Sequence, residues 1–362
     1  MNSLPEDQLA KGGPSLEDAR VDAELEGLLT KLRTTVKIVG VGGGGSNTIA
    51  RIFSEGVTGA ELFAANTDAQ HLLAIRSPKK ILLGRHVTRG LGAGALPQIG
   101  EEAAREAEDE LRAVLTGADM VFVTCGLGGG TGTGGSGYIA RLAKDMGALT
   151  ICVVTLPFRG EGRLRAEAAE WGLERLREAA DTVITIPNDK LLELVPRLSL
   201  QAAFKFADEV LMRSIKGLTE LITKPGLVNL DFNDVKTIMK GGGVAMMGLG
   251  ESQAVGDERA QQAIDEAINS PLLEVDISGA TGVLVNVTGG ADMTIGEAEK
   301  VAEVVQSRVS QNARIIWGAS VDPALEHTMR VMLVATGVKS KNIMGRRTGF
   351  EGATRAGVDL IK

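Results

Sequence analysis

From Thr35 to about Ile186 the chain alternates short apolar runs with longer stretches in which apolar residues recur every three or four positions. Val36–Val41, Leu62–Ala65, Lys80–Leu83, Met120–Thr124, Leu149–Thr155 and Thr182–Ile186 read as strands, and Ser46–Glu55, Gly100–Leu115, Tyr138–Met146 and Arg163–Ala179 as helices. Apolar strands separated by amphipathic helices predict an α/β fold with a doubly wound, mostly parallel, Rossmann-like sheet. In such sheets ligands bind outside the carboxyl ends of the strands. The loops that follow strands are therefore where chemistry is expected.

A long amphipathic helix covers about 200–222 and is ended by Pro225-Gly226. Beyond it the texture changes. Gly243–Leu249, Gly282–Thr288, Ala313–Gly318 and Thr328–Ala335 are strand-like, and Asp257–Asn269 and Ile295–Val309 helix-like, which predicts a smaller α+β domain. The expected division is a polar extension over 1–34, a first domain over 35–223 that includes the long helix, a second over 224–339, and a flexible tail over 340–362 rich in Lys, Arg and Gly. Leu25, Leu28, Leu29 and Leu32 predict an amphipathic helix over 16–33.

Composition narrows the function classes. The formal net charge of -7 and the 3% of aromatic residues argue against a nucleic-acid binder, which needs a basic footprint and base-stacking platforms. Cys125 and Cys152 lie in apolar runs and read as core residues. His71, His86 and His327 share no metal-ligand spacing. No segment has the pattern of a signal peptide or of a bilayer-spanning helix, so a cytoplasmic protein without direct membrane insertion is expected.

Glycine carries the chemistry. The run Gly128-Gly129-Gly130-Thr131-Gly132-Thr133-Gly134 sits between an apolar strand and an amphipathic helix. Glycine lets backbone N–H groups approach an anion, and the following helix offers its positive end. Thr131 and Thr133 add hydroxyls. The P-loop lysine is absent, so this is a phosphate cradle of another kind. A second loop, Gly42-Gly43-Gly44-Gly45-Ser46-Asn47, ends the first strand, and a third, Arg89-Gly90-Leu91-Gly92-Ala93-Gly94, follows the third strand and is placed to cover a terminal phosphate. Taken alone, Gly40–Gly45 with Asp68 near the end of the second strand would suit an NAD-dependent oxidoreductase. That reading leaves Gly128–Gly134 without a purpose. Two rich glycine loops suit a nucleoside di- or triphosphate, with Mg²⁺ bridging phosphate oxygens and no metal ligand from the protein itself.

Phe204 and Asp208 are one helical turn apart and share a face. A ring can stack on a base, and a carboxylate can accept from guanine N1–H and the 2-amino group, a pair of donors that adenine lacks. This favours GTP over ATP. Taken alone, the pair also reads as a core Phe beside a surface Asp. Glu161 and Arg165 could serve a ribose and a phosphate, although their spacing alone fits an i,i+4 ion pair better. In Asn229-Leu230-Asp231-Phe232-Asn233-Asp234, one Asp suits a helix cap, and the carboxylates with Asn229 could instead polarise a water for attack on phosphate. A helix of some twenty residues spans about 30 Å. That puts the Asp231/Asp234 loop far from the glycine loops of its own subunit and within reach of those of a neighbour stacked head to tail.

Together these residues resemble the tubulin/FtsZ family of GTPases, in its archaeal type, over roughly residues 35–340. The marks are Gly42–Asn47, Asn66-Thr67-Asp68, Gly90–Gly94, the signature Gly128–Gly134, Pro157 to Arg165, Phe204 with Asp208, and Asn229 to Val235. The resemblance implies a GTPase domain, a central core helix and a C-terminal activation domain. It implies GTP/GDP and Mg²⁺ as cofactors, and a head-to-tail homopolymer that scaffolds the division ring at midcell. Nucleotide contacts then fall on Gly43, Gly44, Gly45, Ser46 and Asn47, on Asp68, on Gly92, Ala93 and Gly94, on Gly129, Gly130, Thr131, Gly132 and Thr133, and on Glu161, Arg165, Phe204 and Asp208. Asn229, Asp231 and Asp234 would complete a neighbour's site in trans. The chain departs from the family where Ala95-Leu96-Pro97 replaces Gly-Asn-Pro. That change puts Leu96 near the terminal phosphate and raises the alternative of a slow-hydrolysing scaffold paralogue. The last residues, Gly357–Lys362, are the expected dock for a membrane-tethering division protein.

Overall fold

The computed structural model describes residues 34–338, apart from 196–198, 225, 229 and 274. The helix expected over 16–33, the tail over 340–362 and Asn229 lie outside the described residues.

Strands β1 (Val36–Val41), β2 (Ala60–Asn66), β3 (Lys79–Leu82), β4 (Met120–Gly126), β5 (Leu149–Leu156) and β6 (Thr182–Pro187) form a parallel sheet in the order β3-β2-β1-β4-β5-β6. Sequence order reverses between β1 and β4, which makes that gap the topological switch point. β7 (Gly243–Ser252) hydrogen-bonds directly to β6, and β10 (Met329–Thr336), β8 (Gly282–Gly289) and β9 (Arg314–Val321) extend the same sheet to 10 strands. β10 runs antiparallel to both β7 and β8. The strands read as a second, smaller domain thus continue the first sheet, and the described residues from Thr35 onward group as one compact unit.

Each strand faces two apolar layers, because side chains alternate across the sheet. Val39, Val41, Phe63, Val121, Val123 and Val154 point to one core. Over them lie α3 (Pro97–Glu106), α4 (Glu108–Leu115), α5 (Ser136–Asp145) and α6 (Arg163–Ala179). Farther along the sheet, α10 (Asp257–Ile268) and α11 (Ile295–Arg308) cover the same face. Val36, Ile38, Leu62, Phe122, Ile151 and Ile184 point the other way, to α1 (Gly42–Ser54), α2 (Ala69–Ala74), α7 (Asn188–Leu194), α8 (Leu200–Thr223) and α9 (Phe232–Met239). The fold is the three-layer α/β arrangement that the apolar pattern implies. Cys125 and Cys152 are buried in β4 and β5.

Three local expectations change. The helix expected over Gly100–Leu115 is two helices, broken at Ala107 (φ -90°, ψ 15°). At the end of the first, the Glu106 carboxylate turns back to accept the His86 and Val87 amides. Gly42–Gly45 is not a loop before a helix but the first turn of α1 itself. Thr131–Gly135 winds as one π-type turn that runs straight into α5, the kind of local widening often found at functional sites.

Helix α8 spans the full depth of the sheet. Near its start Phe204 meets Phe158, just past the carboxyl end of β5, edge to face with ring centres 5.1 Å apart. At its end Thr223 abuts Gly59, just before the amino end of β2. Its 24 residues measure about 36 Å at 1.5 Å per residue.

Candidate nucleotide site at the carboxyl edge of the sheet

Four loops interlock at the switch point. The Gly130 amide donates to Gly94 O at 2.8 Å, the Gly92 amide to Thr67 O at 3.2 Å, and the Ala69 amide to Gly90 O at 3.0 Å. Thr67 Oγ1 and Thr131 Oγ1 share a hydrogen bond of 2.6 Å. The first turn of α1 and the turn after β4 come within backbone contact of each other. Gly42 has φ +72°, and a Cβ there would lie 2.7 Å from the Gly132 amide nitrogen. Behind the signature turn, a Cβ on Gly134 would lie 1.8 Å from Pro97 O. Glycine at these two positions is what lets the loops close on one another.

The interlocked loops leave part of their backbone open to solvent. Gly43 and Gly44 are exposed at the first turn of α1, as is Asn47 one turn on, while Gly45 and Ser46 are buried. Val41, the N-cap, provides no side-chain acceptor, so the first-turn amides remain available to an anion. A Cβ added to Gly129 or Gly94 would meet nothing within 4 Å. Ser46 Oγ is buried without a hydrogen-bond partner among the described residues. These are features of a cradle shaped for an anionic group, and they fit the phosphates of a nucleotide. Among the described residues no group of three or more His, Cys, Asp or Glu could hold a metal ion.

Asp68 lies at the cradle's edge, yet one of its oxygens is engaged: Oδ1 caps α2 by accepting the His71 amide at 2.9 Å. Thr133 Oγ1 accepts the Gly128 amide at 2.9 Å, so it braces the signature loop from within. Ala93 is buried beneath Gly130.

Glu161 and Arg165 form the ion pair their spacing suggests, 2.8 Å apart. The other Glu161 oxygen accepts the Phe158 amide at 2.9 Å. Arg165 is exposed, and its backbone packs against Gly128.

Phe204 keeps 39% of its surface exposed. Asp208, one turn on, is partly buried, and desolvation pushes its carboxyl up to about 6, with Arg51 acting in the opposite sense. An exposed ring beside a desolvated carboxylate is an arrangement able to read a base edge.

Asn188 did not stand out from the sequence. It opens α7 at the carboxyl end of β6, is buried, and its Oδ1 has no hydrogen-bond partner among the described residues. The available signal was its position: a polar residue directly after an apolar strand, on the edge where the other loops gather.

Asp231 and Asp234 are not on this edge. Asp231 caps α9, accepting the Asn233 amide at 3.0 Å, and both carboxylates are exposed. The far end of α9 is held where β6 begins, by Thr182 Oγ1 donating to Met239 O. That is the amino edge of the sheet, opposite the glycine loops. The structure therefore gathers the nucleotide candidates on one edge and sets the Asp231/Asp234 loop on the other.

The chain is similar to known proteins over nearly all of its length. The sequence profile described as "Tubulin/FtsZ family, GTPase domain" matches residues 35–196, and "FtsZ family, C-terminal domain" matches 243–339. The chain is 56% identical over 371 residues to cell division protein FtsZ 1 of Archaeoglobus fulgidus, covering 100% of both chains. It is 58% identical over 323 residues to FtsZ 1 of Pyrococcus abyssi, covering 89% of this chain and 86% of that protein. Among solved structures, an empty FtsZ dimer from M. jannaschii superposes with a TM-score of 0.84 at 54% identity, covering 88% of this chain and 92% of the other.

Proposed function

The chain belongs to the tubulin/FtsZ family, and from that premise we propose that it binds GTP, polymerises head to tail, and hydrolyses GTP only where two subunits meet. The observation that supports this most is the separation of the two halves of the site. The cradle of Gly43, Gly44, Gly129 and Gly130 and the base-reading pair Phe204 and Asp208 lie at the carboxyl edge, while Asp231 and Asp234 lie at the amino edge. Stacking one subunit on the next brings the two edges together. The contact is heterologous and does not close, so it repeats into a filament. The solved M. jannaschii relative is itself described as a dimer.

In this reading the α1 amides, the signature-loop amides and the Thr131 hydroxyl hold phosphate oxygens, and Phe204 stacks on the guanine. Asp208 accepts from the base, and the Asn188 oxygen at the same edge offers a second acceptor. Mg²⁺, held by the phosphates, would add charge neutralisation. Asp234 of the adjoining subunit orients the attacking water, with Asp231 and Asn229 of the same sequence motif contributing. Residues 35–223 form the GTPase domain and 224–339 the activation domain. The assembled filament acts as a scaffold at the midcell division site, with the tail over 340–362 recruiting a membrane tether. Among the described residues no helix is long and apolar enough to cross a membrane, so such a partner would supply the attachment.

The test is sedimentation with GTP against GDP, with phosphate release followed in the same tube. Turnover per subunit should rise with protein concentration. A turnover per subunit that is constant down to dilute monomer would refute hydrolysis at the interface. A second reading, a slow-hydrolysing scaffold, is favoured by Leu96. This residue stands 59% exposed at the N-cap of α3, where its side chain offers no hydrogen bond. GTP-dependent filaments with little phosphate release would support it.

A further inference from the structure

His71 belongs to none of the glycine loops, yet its ring is set against one. Its Cε1 lies 4.0 Å from where a Cβ on Gly43 would stand, at the exposed first turn of α1. The ring is held by a chain of directed bonds that begins in buried backbone. The Thr67 amide donates to Asn66 Oδ1 at 2.9 Å, which fixes the orientation of the buried Asn66 amide. Asn66 Nδ2 must then be the group that faces His71 Nδ1 at 3.1 Å. An NH₂ group can only donate, so Nδ1 is the acceptor and the proton of the neutral ring sits on Nε2. The backbone is fixed as well, by the Asp68 carboxylate that accepts the His71 amide.

Resting on the reading of this edge as a nucleotide site, we propose that His71 is a phosphate-binding residue whose Nε2–H donates to a phosphate oxygen of the nucleotide held at Gly43. The β2 loop then does two things at once. Through Thr67 it ties to the signature loop, and through Asn66 it presets the tautomer of a side-chain donor beside the α1 amides. The cradle lacks a P-loop lysine, and a neutral imidazole N–H supplies a donor without bringing a second positive charge to the helix terminus. His71 is partly buried, which limits competition from water.

The experiment measures equilibrium binding of GTP, GDP and guanosine to the full chain and to His71→Gln and His71→Phe. Glutamine can reproduce both contacts, its carbonyl oxygen taking the Asn66 donor and its amide replacing Nε2–H. Phenylalanine keeps the volume and loses both. The expected result is a loss of about tenfold or more for GTP and GDP in His71→Phe, unchanged guanosine affinity, and recovery to within a few-fold of wild type in His71→Gln. The ¹⁵N spectrum of the histidines gives a second readout that does not depend on any phenylalanine variant folding. With three histidines in the chain, the His71 signals are identified by their loss in His71→Gln. They should show Nε2 protonated in the free protein and shifted on adding GDP. Wild-type affinity for GDP in His71→Phe, or an Nδ1-protonated ring, overturns the role of His71 while leaving the nucleotide reading intact. A wild-type chain that binds neither GTP nor GDP overturns both.

Discussion

Thr67 Oγ1 lies 2.6 Å from Thr131 Oγ1, a hydrogen bond between two buried hydroxyls that joins the loop after β2 to the loop after β4 across 64 positions of sequence. It makes the two halves of the cradle one object. Thr131→Val removes one partner and leaves the Thr67 hydroxyl buried and unpaired, which should lower stability by about 1–3 kcal/mol. The double variant Thr67→Val/Thr131→Val should lose less than the sum of the two single changes, because the second removal meets no remaining hydroxyl. Urea titration of the four proteins measures the coupling. Strict additivity would mean that the two hydroxyls do not depend on each other.

Space decides what substitution does at each glycine. A Cβ on Gly134 meets Pro97 O at 1.8 Å, whereas one on Gly129 meets nothing within 4 Å. Gly134→Ala should therefore destabilise the fold, by about 1–3 kcal/mol from overpacking, and lower the denaturation midpoint. Gly129→Ala should leave that midpoint unchanged and weaken nucleotide binding instead, since its methyl enters the open space in front of the signature loop. Equal midpoints for the two variants would contradict this account of the signature loop.

The base site should respond to acid. Burial pushes the Asp208 carboxyl up to about 6 from the ordinary 3.8, so between those values the folded chain holds a proton that the unfolded chain has released. The contribution of this group to stability is therefore fully present below the unfolded value and is lost as pH rises through about 6. Guanine binding runs the other way, because only the ionised carboxylate accepts two hydrogen bonds. GDP affinity should fall as pH drops through about 6, with proton release on binding below that value. Asp208→Asn should flatten this part of the profile and reduce the preference for guanine over adenine nucleotides. Affinities measured from pH 5 to 8 for both proteins decide it. An unchanged slope in Asp208→Asn would place the titration elsewhere.

Legibility in the sequence followed the physics of each element. Parallel strands buried on both faces are nearly unbroken apolar runs, so Val36–Val41 and Met120–Thr124 are legible in the sequence, the second strand running on to Gly126 in the structure. Gly42–Gly45 looked like a loop because glycine is a poor helix former, but close packing overrides propensity there. A Cβ on Gly45 would lie 2.3 Å from Thr124 O, and only glycine lets α1 begin so near β4. The break at Ala107 lacks a Gly or Pro to announce it. It is set by tertiary demands on its neighbours, with Glu106 capping the His86 and Val87 amides and Glu108 hydrogen-bonded to the Tyr138 hydroxyl. Asn188 and the Thr67–Thr131 bond were illegible for a related reason. A single polar residue beside a strand has no periodicity, and a contact between distant hydroxyls leaves no local pattern. The opposition of the cradle to Asp231 and Asp234 was legible, because it needs only the length of one helix.

That opposition supports a final prediction, which uses two inactive proteins. Asp234→Ala should bind GTP as the wild type does and release almost no phosphate, because Asp234 is exposed at the edge away from its own cradle. Gly129→Ala, chosen because it disturbs the cradle and not the fold, should retain a working Asp234 and bind GTP poorly. Each alone is deficient in hydrolysis, for different reasons. Mixed in equal amounts, they create interfaces in which the intact cradle of an Asp234→Ala subunit meets the intact loop of a Gly129→Ala subunit. For random head-to-tail stacking about a quarter of the interfaces are of this kind, so phosphate release should recover to a measurable fraction of the wild-type rate. The recovery must depend steeply on total protein concentration, since each competent site needs two molecules. If the cradle and the aspartates of one chain served the same nucleotide, mixing could restore nothing, and the rate would remain the sum of the two separate proteins.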